Sequence, residues 1–313
     1  MEASQQDNKM DYSIVIPVYN SESLLEELCT RIAQTFQPNK NSFEIIFVDD
    51  ASSDTSWKTL LRIKEQQGAM VKLVRFSKNY GQHSATFCGL KYATGDYVIT
   101  IDDDLQNAPE DILKLIDKIE TSRADVVYGI GKKEHSKLRK MASNAWKVGT
   151  RKVDEGLGEG SSFRIFSAAI KDKLLQHQQS IIFIDELLFW YTSNIQFVEV
   201  PHFPRKVGRS GYTPFALLQF IVNLSFNYST IPLKLMTYFG VVVSIFSFIL
   251  GVFFIIRRIF YDVNVPGFTA TIVAILFSTS VILIGIGIIG KYLSNIFKLL
   301  NKRPSFSIKE TRL

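Results

Sequence analysis

The sequence predicts an α/β domain on a mainly parallel sheet, followed by a pair of membrane-spanning helices. Three observations carry that expectation. Short β-rich runs alternate with helical segments through the first 130 residues. Polar residues gather just past the C-terminal end of each of four runs. From Leu235 onward the composition turns abruptly apolar.

The strand candidates are Ser13–Val18, Glu44–Val48, Val71–Phe76, Tyr97–Ile101 and Asp125–Tyr128. Between them, helical patterns cover Glu22–Phe36, Thr55–Gln67, His83–Ala93 and Glu110–Ser122. Near-continuous apolar strands separated by helices imply a sheet covered on both faces. Pro17, Tyr19 and Asn20 follow the first strand, and Asp49, Asp50 and Asp54 the second. Ser77, Asn79 and Gly81 follow the third, and Asp102, Asp103 and Asp104 the fourth. Each cluster alone is ordinary turn chemistry; four on one edge argue for a ligand site, because open α/β sheets bind there.

A GxGxxG after the first strand is absent, as is GxxxxGK[ST], which removes the main support for dinucleotide and P-loop chemistry. Gly129-Ile130-Gly131 is too short for a phosphate loop. The histidines His83, His135, His177 and His202 lack metal spacing, and no Gly-x-Ser-x-Gly elbow occurs. Cys29 and Cys88 are the only cysteines, too few for a disulfide framework and suited to a reducing compartment. The polar N-terminus lacks the apolar core of a cleavable signal.

Leu235–Ile256 and Phe268–Ile289 are uncharged runs of about 22 residues each, the length needed for a bilayer core of roughly 30 Å. A buried core helix would need a polar stripe that neither has. Between the runs lies RRIFYDVNVPG, which predicts a hairpin with both chain ends on one side. Lys291, Lys298, Lys302, Arg303, Lys309 and Arg312 follow the second run, and Arg205, Lys206, Arg209 and Lys234 precede the first. The positive-inside rule then puts the large domain and both termini in the cytoplasm, as in a bacterial inner-membrane protein. Pro214–Ile231 carries Gln219, Asn223 and Asn227 on one helical face; it reads as an interfacial helix, with a plain core helix as the alternative. The expected organisation is 1–212 globular, 213–232 interfacial, 233–290 spanning and 291–313 a basic tail.

Asp102-Asp103-Asp104-Leu105-Gln106 begins where the apolar YVITI ends. In an extended segment alternate side chains share a side, so Asp102 and Asp104 would point together. Two carboxylates and an amide oxygen suit Mg²⁺ or Mn²⁺. The competing reading is an N-cap cluster for the helix near Pro109; one Asp suffices for that, and three adjacent like charges call for a cation. Asp54 likewise reads as an N-cap, while Asp49 and Asp50 exceed what capping needs.

Pro17-Val18-Tyr19-Asn20 with Glu22, then VDDASSDTS, NYGQ and DDDLQNAPED, resembles glycosyltransferase family two. With two C-terminal spans it is similar to the polyprenyl-phosphate branch, which contains dolichol-phosphate mannose synthase and bactoprenol glucosyltransferases. The resemblance runs from Tyr12 to about Tyr212 and implies a GT-A fold that binds a UDP- or GDP-linked sugar. It places Pro17, Tyr19, Glu22, Asp49, Asp50, Asn79, Asp102 and Asp103 on the nucleotide sugar, and Asp102, Asp104 and Gln106 on the metal. Family members usually carry a small residue where this chain has Asp103. Glu159 stands where the family often has Asp, five positions before Arg164, which matches a phosphate-contacting arginine. Asp104, Glu159 and Arg164 are thus the implied catalytic set. Arg139, Arg164, Arg205, Ser210 and Tyr212 are the implied acceptor-phosphate contacts.

The resemblance implies an inverting transfer to polyprenyl phosphate, in a homo-oligomer. The alternatives are transfer to a hydroxyl of a lipid-linked or polysaccharide acceptor, with Asp185 or Glu186 as base, and a catalytically inactive membrane scaffold. The net charge of +6 suits nucleic acid, anionic lipid or a phosphorylated substrate alike, and the basic stretch 132–152 reads either as a solvated helix face or as a segment attracted to lipid headgroups. With no recognition motif beside them, they do not point to nucleic acid.

Overall fold

Seven consecutive uncharged residues, Tyr12–Val18 (YSIVIPV), form strand β1, and all seven are buried. Burial on both faces is the condition of a central parallel strand. The computed structural model describes residues 10–39, 41–131, 161–176, 183–204, 231–260, 267–300 and 304–313. After β1 come α1 (Leu25–Phe36), β2 (Phe43–Asp49), α2 (Ser56–Gln67), β3 (Val71–Phe76) and α3 (Gln82–Leu90). Then follow β4 (Tyr97–Thr100), α4 (Ile112–Ser122), β5 (Val126–Gly131), β6 (Arg164–Ser167), α5 (Ala168–Leu175), α6 (Ile184–Tyr191) and β7 (Ile195–Val200). The long helices α7 (Ile231–Phe260) and α8 (Phe268–Leu300) precede a last strand, β8 (Ile308–Arg312).

Among the described residues the strands form one sheet in the order β7-β5-β6-β4-β1-β2-β3-β8. β3, β2, β1 and β4 run parallel. β6 lies antiparallel between β4 and β5, and β8 antiparallel along β3. The chain steps outward from β1 to β3, then returns to place β4 on the other side of β1. The crevice between the carboxyl ends of β1 and β4 is therefore the topological switch point, where open α/β sheets hold ligands.

Strand alternation divides the core between the two faces. Ile14, Ile16, Phe47 and Leu73 face α1, α2 and α4 through Leu28, Ile32, Leu60 and Leu115. Val15, Ile46, Val48 and Val74 face α3, α5 and α6 through Cys88, Leu90, Leu174 and Leu187. Helix α3 lies so close to β1 that a Cβ at Gly89 would stand 2.3 Å from Val15 Cγ1; only glycine permits that approach. Both cysteines are buried and free.

Four expected strands match within a residue at each end, and β5 runs on to Gly131. Strands β6, β7 and β8 were not expected. The segment from 291 was expected as a basic tail, and the structure corrects this: α8 runs to Leu300 and Ile308–Arg312 joins the sheet. Ser77 N–H donates to the Ser307 carbonyl at 2.9 Å. Phe306 stacks on Phe76 at 5.1 Å, with Lys91 Nζ 4.8 Å over the Phe306 ring. β8 thus covers an edge that would otherwise offer unpaired backbone groups.

The described chain falls into two compact units, the α/β unit including β8 and the α7–α8 pair. Leu235–Phe253 and Phe277–Ser294 are long and apolar enough to cross a membrane. Phe246, Phe248, Ile282 and Ile284 on them are exposed, as lipid-facing residues would be. A Cβ at Gly285 would lie 3.3 Å from Met236 Cε, the close helix approach that small residues allow. The basic stretch 132–152, residues 214–230 of the expected interfacial helix and residues 261–266 of the turn lie outside the described residues.

Removing residues 305–313 should expose the β3 edge and lower the thermal unfolding midpoint of the detergent-solubilised protein. Phe306→Ala alone should cost about 1–2 kcal/mol, since its ring is only partly buried. A truncated chain that melts like the full one would show that β8 adds nothing to the sheet.

Candidate functional site

Three non-glycine residues have left-handed backbone just past a strand end: Asn20 (φ 54°) after β1, Ala51 (φ 58°) after β2 and Leu105 (φ 56°) after β4. Such conformations are costly for residues with a side chain and persist where surrounding contacts over-determine them. The contacts are present. Asn20 Oδ1 accepts from Ser53 N–H at 2.8 Å, and Asn20 N–H donates to Ser52 Oγ at 3.0 Å. Ser21 N–H donates to Ser56 Oγ at 2.9 Å.

The Glu22 carboxylate accepts from Thr55 N–H at 2.9 Å and from the Thr55 hydroxyl. Asp54 accepts from Ser56 N–H at 3.0 Å and Glu22 N–H at 3.3 Å. The N-cap of α2 is Thr55 rather than Asp54; Asp54, one residue earlier, accepts from the first helical amide, and Glu22 accepts from the amide of Thr55. The loops after β1 and β2 are laced together by their own polar residues.

Asp49 is fully buried; it accepts from Ser52 N–H at 3.2 Å and from Arg75 Nε at 3.1 Å. The Arg75 guanidinium in turn lies 5.3 Å from the Trp57 ring centre. Asp50 accepts from Tyr80 N–H and Gly81 N–H, both at 2.7 Å, which fixes the loop after β3. Burial raises the Asp50 pKa above the ordinary carboxylate value, against the pull of these two amides, and Asp49 adds to the rise. Pro17 is buried in β1, whereas Tyr19 (51% exposed) and Asn79 present their side chains to solvent.

The acidic turn departs from the extended segment that the alternation argument required. β4 ends at Thr100, and the chain turns at Asp103 and Asp104. Asp102 accepts from the Gln82 amide at the start of α3 and from Ser162 Oγ at 2.5 Å. Asp103 turns back toward β1; its Oδ2 accepts from Tyr19 N–H at 3.0 Å and Ser21 Oγ at 2.5 Å. Burial pushes its pKa up to about 7, outweighing these two donors, with Asp102 and Asp104 adding to the rise. Asp104 Oδ1 accepts from Gln106 N–H at 3.1 Å. The Gln106 amide donates to the Phe203 carbonyl at 3.3 Å, and Phe203 N–H donates to the Gln106 carbonyl at 2.9 Å.

Among the described residues no three His, Cys, Asp or Glu side chains gather into a complete cage. The half-buried pair Asp102 and Asp104 instead offers hard oxygen donors on one turn. That fits Mg²⁺ or Mn²⁺, ions normally bound by one or two carboxylates and completed by water and phosphate.

Behind this turn lies a polar cluster that the sequence did not reveal. Arg164 was expected on a phosphate, but it is 2% exposed and its guanidinium pairs with Asp185. Arg164 Nε donates to Thr100 Oγ1 at 3.1 Å, and the Tyr128 hydroxyl donates to Asp185 at 3.0 Å. His83 packs on Phe183 at 4.3 Å. Burial, reinforced by Arg164, lowers its pKa to about 4, with Asp185 opposing. Glu186 is pushed above the ordinary carboxylate value by burial, offset in part by the Trp190 indole. The partners are brought together from β4, β5, β6, α3 and α6, so no local spacing marks them. Arg139, Glu159, Arg205, Ser210 and Tyr212 lie outside the described residues.

The model of "Glycosyl transferase family 2" matches residues 13–177. The chain belongs to that family. It is 32% identical over 305 residues to undecaprenyl-phosphate 4-deoxy-4-formamido-L-arabinose transferase of Klebsiella pneumoniae, covering 95% of this chain and 92% of the relative. An uncharacterized glycosyltransferase of Synechocystis is 33% identical over 308 residues, covering 96% and 95%. Among solved structures, glucosyl-3-phosphoglycerate synthase from Mycobacterium tuberculosis in complex with UDP superimposes with a TM-score of 0.50. The match covers 69% of this chain and 79% of that one at 18% identity, and supports the GT-A fold alone.

Asp185→Ala should destabilise this glycosyltransferase by about 3 kcal/mol, because it leaves a buried guanidinium without its counter-charge; chemical denaturation reads the loss. In the folded protein His83 stays neutral down to about pH 4, whereas in the unfolded chain it takes a proton near pH 6.5. Its contribution is therefore lost as pH falls from about 6.5 towards 4, by about 1–3 kcal/mol, and His83→Gln should flatten that part of the stability profile. Parallel wild-type and variant profiles between those limits would contradict the assignment.

Proposed function

We propose that this chain transfers a sugar from a nucleoside-diphosphate sugar to a polyprenyl phosphate at a bilayer surface. The observation that carries the reading is the crevice between β1 and β4. The exposed Tyr19 ring and the Asp102–Asp104 turn follow β1 and β4, and the Asp49–Asp50 pair ends the neighbouring β2 on the same sheet edge. Relatives named for an undecaprenyl-phosphate acceptor, aligned along nearly the whole chain, support the choice of acceptor.

In this reading Tyr19 and Asn79 line the nucleoside subsite. Asp49 and Asp50 frame its floor through the lone pairs their protein partners leave. Asp102 and Asp104 hold Mg²⁺ or Mn²⁺, with Gln106 anchoring the turn to residue 203. When bound, the ion stabilises the charge that develops on the departing diphosphate. A phosphate acceptor is already anionic at neutral pH, so its attack needs little base catalysis. That agrees with Asp185, whose carboxylate is engaged by Arg164 and Tyr128. Glu159, Arg139, Arg205, Ser210 and Tyr212 belong to the acceptor side by resemblance, and configuration inverts at the anomeric carbon. Both termini and the α/β unit face the cytoplasm, and the active form is a homo-oligomer.

The raised pKa of Glu186 favours a second reading, transfer to a hydroxyl acceptor with Glu186 as base. The assay that separates the two uses radiolabelled UDP- and GDP-sugars, undecaprenyl phosphate, and Mn²⁺, Mg²⁺ or EDTA in detergent. The lipid-phosphate reading expects labelled lipid only with metal. It expects Asp104→Ala to lower turnover by at least about a hundredfold, the scale of losing a main charge-stabilising group, and Glu186→Gln to stay near wild type. Undiminished turnover in Asp104→Ala would sink the metal assignment, and collapse in Glu186→Gln would favour the hydroxyl acceptor.

A further inference from the structure

Asp103 is the one residue of the acidic turn that neither metal binding nor capping explains. Three adjacent aspartates repel one another, and a small residue at the middle position would ease that repulsion. The structure shows what the extra carboxylate touches. Its Oδ2 accepts from the backbone N–H of Tyr19 at 3.0 Å and from the Ser21 hydroxyl at 2.5 Å. The donors lie 84 and 82 residues away in sequence, on the loop that follows β1. The contact therefore crosses the switch-point crevice, from the turn after β4 to the loop after β1.

The arrangement of the neighbouring contacts gives this one its meaning. The β1 loop is laced to the β2 loop through Asn20, Glu22 and Asp54. The β2 loop is tied to the β3 loop through Asp50. Asp103 joins that set to the turn that carries Asp102 and Asp104. Tyr19 has its ring in solvent, so the N–H that Asp103 holds sets where the ring stands. Truncating Asp103 would leave a loop in left-handed backbone at Asn20 without its support from the β4 side.

We propose that Asp103 is a positioning residue, a latch that fixes the nucleoside-binding loop relative to the metal-binding turn. The latch rests on the function proposed above only for its consequence, which is correct donor placement. Its existence as a mechanical tie does not depend on the reaction. The side chain acts as a double hydrogen-bond acceptor, so an asparagine that presents its Oδ1 to the same two donors should replace it, and an alanine should not.

The test compares full-length wild type, Asp103→Ala and Asp103→Asn in detergent by amide hydrogen exchange and by donor kinetics. The expected result is exchange at Tyr19 faster by about tenfold in Asp103→Ala and near wild type in Asp103→Asn, the scale of losing one hydrogen bond. The amides of Tyr80 and Gly81, held by Asp50, should be unchanged in both variants. Tyr19 exchange unaltered by alanine would overturn the latch; so would equal loosening at Tyr80 and Gly81, which would mark a general loss of structure.

In kinetics, KM for the nucleotide sugar should rise about tenfold in Asp103→Ala with kcat within about threefold, and Asp103→Asn should restore it. A loosened loop with an unchanged KM would overturn the functional consequence. If wild type transfers sugar from no donor, the transferase reading fails, while exchange at Tyr19 still decides the latch.

Discussion

A carboxylate that accepts a backbone N–H from a neighbouring loop is the interaction on which this structure turns. Glu22, Asp50 and Asp103 each do so, and the Asn20 side-chain carbonyl does the same. Parallel strands deliver four loops to one edge with their amide groups unpaired by the sheet. In water such groups would be satisfied by solvent and the loops would wander. Here acidic and hydroxyl side chains satisfy them, and Ser52 and Ser53 hold Asn20 in left-handed backbone. The result is a preformed crevice, and preorganised polar groups are what stabilise developing charge at low reorganisation cost.

The same economy explains why motif reading and geometry agree on place but differ on detail. The sequence placed the four polar clusters on one edge because apolar runs of strand length end just before them, and that signal is local. It could not say which carboxylate faces a ligand and which faces a neighbouring loop. Glu22 and Asp103, read as nucleotide contacts, hold protein amides. Their partners are 33 and 84 residues away, beyond any periodicity. Arg164 is the sharper case. Resemblance matched it to a phosphate-contacting arginine, yet Asp185 and Tyr128 enclose it from two other elements.

Strands β6 and β8 escaped the sequence reading for related reasons. β6 is four residues long and opens with that arginine. β8, IKETR, lacks the alternation of a half-buried strand because it is an edge. Its position is set by pairing with β3 and by the Phe306–Phe76 stack. The long helices were legible because length and apolarity alone mark them.

The central claim is that the edge of the sheet is a preformed, metal-assisted site for a nucleoside diphosphate. The most direct measurement is calorimetric titration of UDP and of GDP into the full-length protein in detergent, with Mn²⁺ and with EDTA. The account predicts one-site binding of one of the two nucleotides, weakened at least about tenfold by EDTA, since Asp102 and Asp104 would hold an ion that offsets the charge of the diphosphate. Saturable binding of neither, or binding indifferent to the metal, would contradict it.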